Sequence, residues 1–226
     1  VMQVFRTAHP DLLLDLSIDF RTFNLAQREA DIALRWLGPG SQNSLIGRKV
    51  AEVGFGLFAS EKYLESRPEP INTKADLQNH DSVVVHLSEN DYLWPKDDDG
   101  NHYGMGRLTF KTNNLSAHEN AIIAGYGIGI LPICFSGSDV GLKRVLPEHT
   151  HHEDLWIVAH EDLTKSVRIR AVFDFLVDAL VKDRGFFYSG APSVFSDIAG
   201  LSCGDDGTGS LEHTHVIMPR EDNMAS

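Results

Sequence analysis

Several groups of residues in this sequence have types and spacings that could do chemistry. His149, His151 and His152, followed by Glu153, supply the nitrogen and oxygen donors that zinc takes. Zinc sites draw on a second ligand pair at helical or knuckle spacing, and none lies nearby, so the tract reads as a polar surface loop. Pro95-Lys96-Asp97-Asp98-Asp99-Gly100 has the acidity of a calcium loop. Such a loop needs an acidic first ligand where Pro95 stands and a bidentate Glu where Gly106 stands, so a solvated acidic turn is the better account. Gly125-Tyr126-Gly127-Ile128-Gly129 has the glycine density of a dinucleotide loop. That loop follows a strand and opens a helix, whereas here a helical pattern precedes and a strand pattern follows. The glycines therefore read as a helix stop and a turn. Cys134 sits among Leu131, Pro132, Ile133 and Phe135, where an apolar environment raises a thiol's pKa and leaves it inert. No Gly-x-Ser-x-Gly elbow, Walker loop or His-Glu-x-x-His motif occurs. No catalytic residue, metal or cofactor is expected on these grounds.

Composition narrows the class further. The chain has 226 residues, 42% hydrophobic and 9% aromatic, enough for one ordinary domain or two small lobes. Its apolar runs fall well short of the roughly 20 residues that span a bilayer, so no membrane partner is expected. A formal net charge of −12 disfavours a nucleic-acid surface on these residues. The two cysteines, Cys134 and Cys203, lie far apart, which suits a reducing cytoplasm.

The elements that would position a site follow from periodicity. Residues 1–8 read as the end of an amphipathic helix that Pro10 stops. Leu12, Leu14, Leu16 and Ile18 alternate with Leu13, Asp15, Ser17 and Asp19 as a strand would. A short helical stretch near residues 25–29 leads to an alternating strand over 31–36, and residues 53–59 read as a strand buried on both faces. Two short helices are expected at 61–66 and 73–78, the second capped by Thr73, before a central strand at Val83, Val84 and Val85. Residues 88–106 read as a loop. Leu108, Phe110 and Thr112 mark a strand, and Asn113 or Asn114 caps a helix running to Ala124. A strand over 155–160 and a helix over 167–182, with Ile169, Val172, Phe173, Leu176 and Leu180 on one stripe, complete the pattern. Alternating strands and helices predict an α/β fold with parallel sheets covered on both faces. Residues 185–226 lose periodicity and are expected to be a largely disordered tail.

The order of these segments resembles one family. His9-Pro10-Asp11 before the alternating stretch, Arg28-Glu29-Ala30-Asp31-Ile32-Ala33-Leu34-Arg35, and Leu57-Phe58-Ala59-Ser60 with Tyr63-Leu64 are similar to the effector-binding domain of LysR-type transcriptional regulators. Asp76-Leu77 with His80, and Ala124-Gly125-Tyr126-Gly127-Ile128-Gly129-Ile130-Leu131-Pro132, continue the match in the family's order, which covers about residues 1–184. The resemblance implies a two-lobed fold like type 2 periplasmic binding proteins, with a ligand cleft between lobes. Residues 1–60 and 154–184 would form the first lobe and 61–153 the second, with Ser60 and Asp154 near the hinge. It also implies a winged helix-turn-helix, a linker helix and a first strand of lobe I that this sequence does not carry.

Function follows as an expectation. The chain would sense a small-molecule effector and self-associate, and DNA would be met only through the N-terminal module. Strand ends beside a cleft favour an organic anion, because helix N-termini there present N–H groups and partial positive charge. The candidate contacts are Phe20, Arg21, Thr22, Arg35, Trp36, His86, Thr112, Asn113, Asn114, Gly127 and Ile128. For Arg35 a surface ion pair, for Trp36 packing, and for the asparagines capping are the competing roles. A stand-alone solute-binding protein and a small cleft enzyme are the alternative classes, and both rest on fold analogy.

Overall fold

An unbroken run of buried side chains, Val53 through Ser60, needs cover on both faces, and the longest strand of the fold provides the place for it. The computed structural model describes residues 2–17, 24–27, 29–36, 38–40, 44–67, 69–88, 91–97, 99–137, 141–162 and 165–195. In chain order the elements are helix α1 (Met2–Ala8), a 3-10 turn (Leu25–Gln27), β1 (Ile32–Arg35), β2 (Leu45–Ser60) and α2 (Glu61–Glu65). A second 3-10 turn (Lys74–Asn79) precedes β3 (Asp81–Ser88), β4 (Asp91–Tyr92), β5 (Arg107–Thr112) and α3 (Leu115–Ile123). Then come β6 (Gly129–Pro132), a 3-10 turn (Ile133–Gly137), β7 (Leu142–Val145), β8 (His151–His160), α4 (Val167–Lys182) and α5 (Arg184–Ser189).

The chain divides into two units, one of Val1–Glu52 with Asp154–Ser226 and the other of Val53–Glu153. The division falls within β2 and within β8. In the first unit the strand order is β1-β8-β2, with β1 antiparallel to β8 from Ile32 opposite Ala159 to Arg35 opposite Trp156. Leu25, Leu45 and Val158 form its core, with Ala33 and Trp156 packed alongside. Phe5 of α1 is 1% exposed and its ring centroid lies 4.9 Å from that of Phe175 on α4, so both helices bury an aromatic face. In the second unit β6 and β7 each run antiparallel to β2, and β3 lies between β4 and β5. Phe58, Val83, Ala121, Ile122 and Leu131 close this core.

Several expectations are corrected. Residues 12–17 form no strand: Leu13 is 93% and Leu16 54% exposed, and no ladder partner lies beside them among the described residues. Alternation alone does not make a strand without a neighbour to pair with. The sheets are not uniformly parallel. Among the described residues β3 with β5, and the bridge of Ser82 to Ile128, run parallel, where β5 and Ile128 flank the crossover helix α3. The long strand β2 is met by strands that return against it. Residues 45–52 extend β2 beyond the expected start, and their polar Arg48 and Lys49 hid that extension from a search for apolar runs. The α4 boundaries match; Ile169, Val172, Phe173, Leu176 and Leu180 are half-buried, and the fully buried Val177 and Ala179 flank that stripe on either side.

The expected disordered tail starts too early. The chain continues past Asp183 as α5, and Gly190 ends it in the left-handed conformation with its N–H on Phe186 O. Asp183 holds the next turn in place. It is 8% exposed, and its carboxylate accepts from Ser193 Oγ at 2.5 Å and from the N–H of Val194 at 2.8 Å. Residues 196–226 of the expected tail lie outside the described residues. Asp183→Ala removes both acceptors and is expected to cost about 1–2 kcal/mol. Urea denaturation checks this, with faster limited proteolysis after Gly190 as the local sign.

Candidate functional site

The parallel pair β3 and β5 points its carboxyl ends at the start of α3, and local sequence explains how that start is held. Asn114 adopts extended backbone and its Oδ1 accepts from Ala117 N–H at 2.8 Å, while its carbonyl accepts from His118 N–H at 3.0 Å. Thr112 Oγ1 accepts from Asn114 N–H at 3.0 Å, so the last residue of β5 fixes the cap of α3. The N–H groups of Leu115 and Ser116 precede these bonds in the first turn, where the helix carries partial positive charge. His86 lies one residue beyond Val85, which pairs with Thr112, and His86 itself pairs with Tyr92 of β4. Thus His86, Thr112, Asn113 and Asn114 share one end of this sheet.

Beneath that end, α3 is bolted to β3 by a residue that the sequence did not single out. His118 is fully buried, and its Nε2–H donates to Val83 O at 3.1 Å. Burial pushes its pKa down to about 4, because a charged imidazolium would lose its water there. The ring is neutral at physiological pH and serves the packing. Gly129 of β6 lets this contact form: a Cβ there would lie 2.7 Å from His118 Nε2 and 2.6 Å from Ile122 Cδ1.

The other candidate residues fall elsewhere. Gly127 and Ile128 stand at the opposite end of β3, where Ile128 bridges Ser82 and donates its N–H to Asp81 O at 2.9 Å. Ile128 is fully buried, so it packs rather than presents a surface. Arg35 ends β1 in the first unit and donates from Nη2 to Gly38 O at 2.9 Å, and Trp36 follows it, half-buried. Phe20, Arg21 and Thr22 lie outside the described residues. Ser60 caps α2, its Oγ accepting from Tyr63 N–H at 3.3 Å, and Asp154 pairs with Lys49 at 2.5 Å on the exposed surface of the first unit. The rejected zinc tract holds a 2.7 Å contact of His151 with Glu153, and no group of metal-holding side chains occurs among the described residues.

Sequence reading also missed a charged cluster at the start of β3. Asp81 is 7% exposed; its carboxylate accepts from Arg107 Nε at 2.8 Å and from Arg67 Nη2. Its N–H meets the Tyr63 hydroxyl at 2.7 Å. An isolated Asp after His80 carries no sequence signal for two arginines arriving from 14 and 26 residues away.

Residues 1–181 match the LysR substrate binding domain family, and the chain belongs to it. That family is the effector-binding domain of LysR-type transcriptional regulators, with an α/β fold of the type 2 periplasmic-binding-protein kind. The relatives are bacterial transcriptional regulators. An HTH-type transcriptional regulator of Xanthomonas campestris pv. campestris is 27% identical over 202 residues, covering 84% of this chain and 57% of that protein. The HTH-type transcriptional activator TtdR of Escherichia coli is 27% identical over 181 residues, 74% of this chain and 55% of that protein. The chain therefore spans about half the length of the curated relatives it matches. The regulatory domain of CrgA from Neisseria meningitidis superposes with a TM-score of 0.67 at 26% identity, over 79% of this chain and 89% of that one. No helix among the described residues is long and apolar enough to cross a membrane.

Proposed function

We propose that this chain is the effector-sensing and self-associating part of a bacterial LysR-type regulator, working in the cytoplasm, with DNA met by a helix-turn-helix module outside these 226 residues. The effector is a small organic anion. One observation carries the reading: an asparagine-capped helix start at the carboxyl ends of the parallel strands β3 and β5, a place where backbone N–H groups and helix charge favour an anion. His86, Thr112, Asn113 and Asn114 form the proposed contact set within the second unit. Gly127 and Ile128 are left out, because they stand at the far end of β3. The effector shifts a conformational population and is not transformed, so no catalytic residue is required.

The test is a thermal-unfolding panel of aliphatic and aromatic carboxylates on the folded chain. A ligand at about 100 times its Kd is expected to raise Tm by a few degrees through mass action. Thr112→Val, which keeps the side-chain shape but removes the hydroxyl, is expected to diminish that rise. No shift with any carboxylate, in a sample shown to be folded, would sink the reading.

A further inference from the structure

The end of β3 remote from that site carries a second feature. A hollow of about 550 Å³ opens over Asp81, walled by Arg107, Leu108 and Thr109 of β5 and by Gly125 and Tyr126 after α3. The hollow is shallow and wide open to solvent, so it would meet one side of a small ligand rather than enclose it. The floor is fixed, since Asp81 has both carboxylate oxygens, its N–H and its carbonyl engaged within the fold. Two guanidiniums share that one carboxylate, so the cluster is a local excess of positive charge in a chain of formal charge −12.

We propose that this hollow binds a small aromatic carboxylate, independently of the effector site at the other end of the sheet. Arg107 is the recognition group. Its side chain is 75% exposed and its contact with Asp81 is made through Nε, so the terminal nitrogens are the groups that would meet a carboxylate. The aromatic part of the ligand is met by Tyr126, the one aromatic side chain of a mainly polar lining. Tyr126 is 51% and Leu108 41% exposed, both large side chains open to solvent beside the arginine. Tyr126 is held where it stands. Thr109 Oγ1 donates to its carbonyl at 2.8 Å, and its ring meets Phe110 edge-on at 5.7 Å. A cation beside an aromatic face is complementary to a flat anion, which loses less entropy on binding than a flexible one.

Phenylacetate titrated into the isotope-labelled full chain, read by amide NMR, tests the assignment. Saturable shifts are expected at the amides of Thr109, Gly125 and Tyr126. Arg107→Gln is expected to weaken binding about tenfold or more, since it removes a charge-assisted pair, and Tyr126→Ala to weaken it less. Arg67 remains on Asp81 in Arg107→Gln. Should that variant nonetheless fail to fold, wild-type protein with phenylacetamide replaces it, and the neutral amide is expected to bind about tenfold more weakly. The proposal is overturned if these amides do not move at about 20 mM phenylacetate, a concentration suited to a ligand of this size. It is equally overturned if acid and amide bind alike, or if only the amides of Leu115 and Ser116 respond. That last result would place the probe at the α3 start and leave the effector reading standing.

Discussion

Acidification from pH 6.5 to pH 4 is expected to cost this fold on the order of 3 kcal/mol through His118 alone. The side chain is fully buried between α3 and β3, and burial lowers its pKa from 6.5 to about 4. The sign follows from which state takes the proton. The unfolded chain binds it as pH falls below about 6.5, while the folded chain resists until about pH 4. Stability is therefore full above the unfolded pKa, declines through that window and levels off below it. Carboxylates elsewhere add their own pH dependence, so the informative quantity is a difference. His118→Gln retains a donor for Val83 O but does not titrate, and its urea-derived stability should lack this part of the acid slope. Parallel pH profiles for the two proteins would refute the assignment.

The same residue shows what sequence periodicity can and cannot reach. The α3 helix, its asparagine cap and its glycine stop were legible because capping and left-handed backbone have local chemistry: Asn114 takes the Ala117 N–H, and Gly125 has φ +85°. Val83, Val84 and Val85 announced a central strand for an equally local reason, being fully buried β-branched residues. His118 gave no such signal. A histidine on a helix is chemically ambiguous until the strand that accepts its hydrogen bond is known, and Val83 is 35 residues away. The cluster on Asp81 failed to show for the same reason of sequence distance.

Site legibility was uneven for a topological cause. A strand end is legible in sequence, but which end each strand brings to its neighbours is set by topology. Thr112 and Asn114 fall at the carboxyl ends of a parallel pair, as the βαβ logic requires. Gly127 and Ile128 come after the crossover helix, at the beginning of the next strand, so the parallel bridge to Ser82 carries them to the opposite end. The alternating segment at residues 12–17 misled in another way. Its pattern is that of a strand, but pattern specifies only which face would be buried, and pairing depends on a neighbour.

Gly127→Ala is expected to be among the most damaging single-methyl additions to the second unit, at about 3 kcal/mol or more, combining backbone strain with overpacking. Its φ is +152°, a region L side chains rarely adopt, and a Cβ would overlap the Asp81 carbonyl oxygen and lie 2.7 Å from the carbonyl carbon. The obstructed group is backbone, which cannot swing aside as a side chain would. Relief requires moving Ile128 away from Asp81, and the two bonds that seat the strand, Ile128 N–H to Asp81 O at 2.9 Å and Val83 N–H to Ile128 O at 2.8 Å, lengthen together. Gly125 provides the internal control. Its φ is +85°, but a Cβ there would approach nothing nearer than Ser60 Oγ at 3.5 Å. Gly125→Ala should therefore pay the left-handed conformation alone, about 1–2 kcal/mol. Urea midpoints for the two variants separate the contributions: a clearly larger loss for Gly127→Ala reports the close approach of two backbones, whereas equal losses would mean that the approach is not tight.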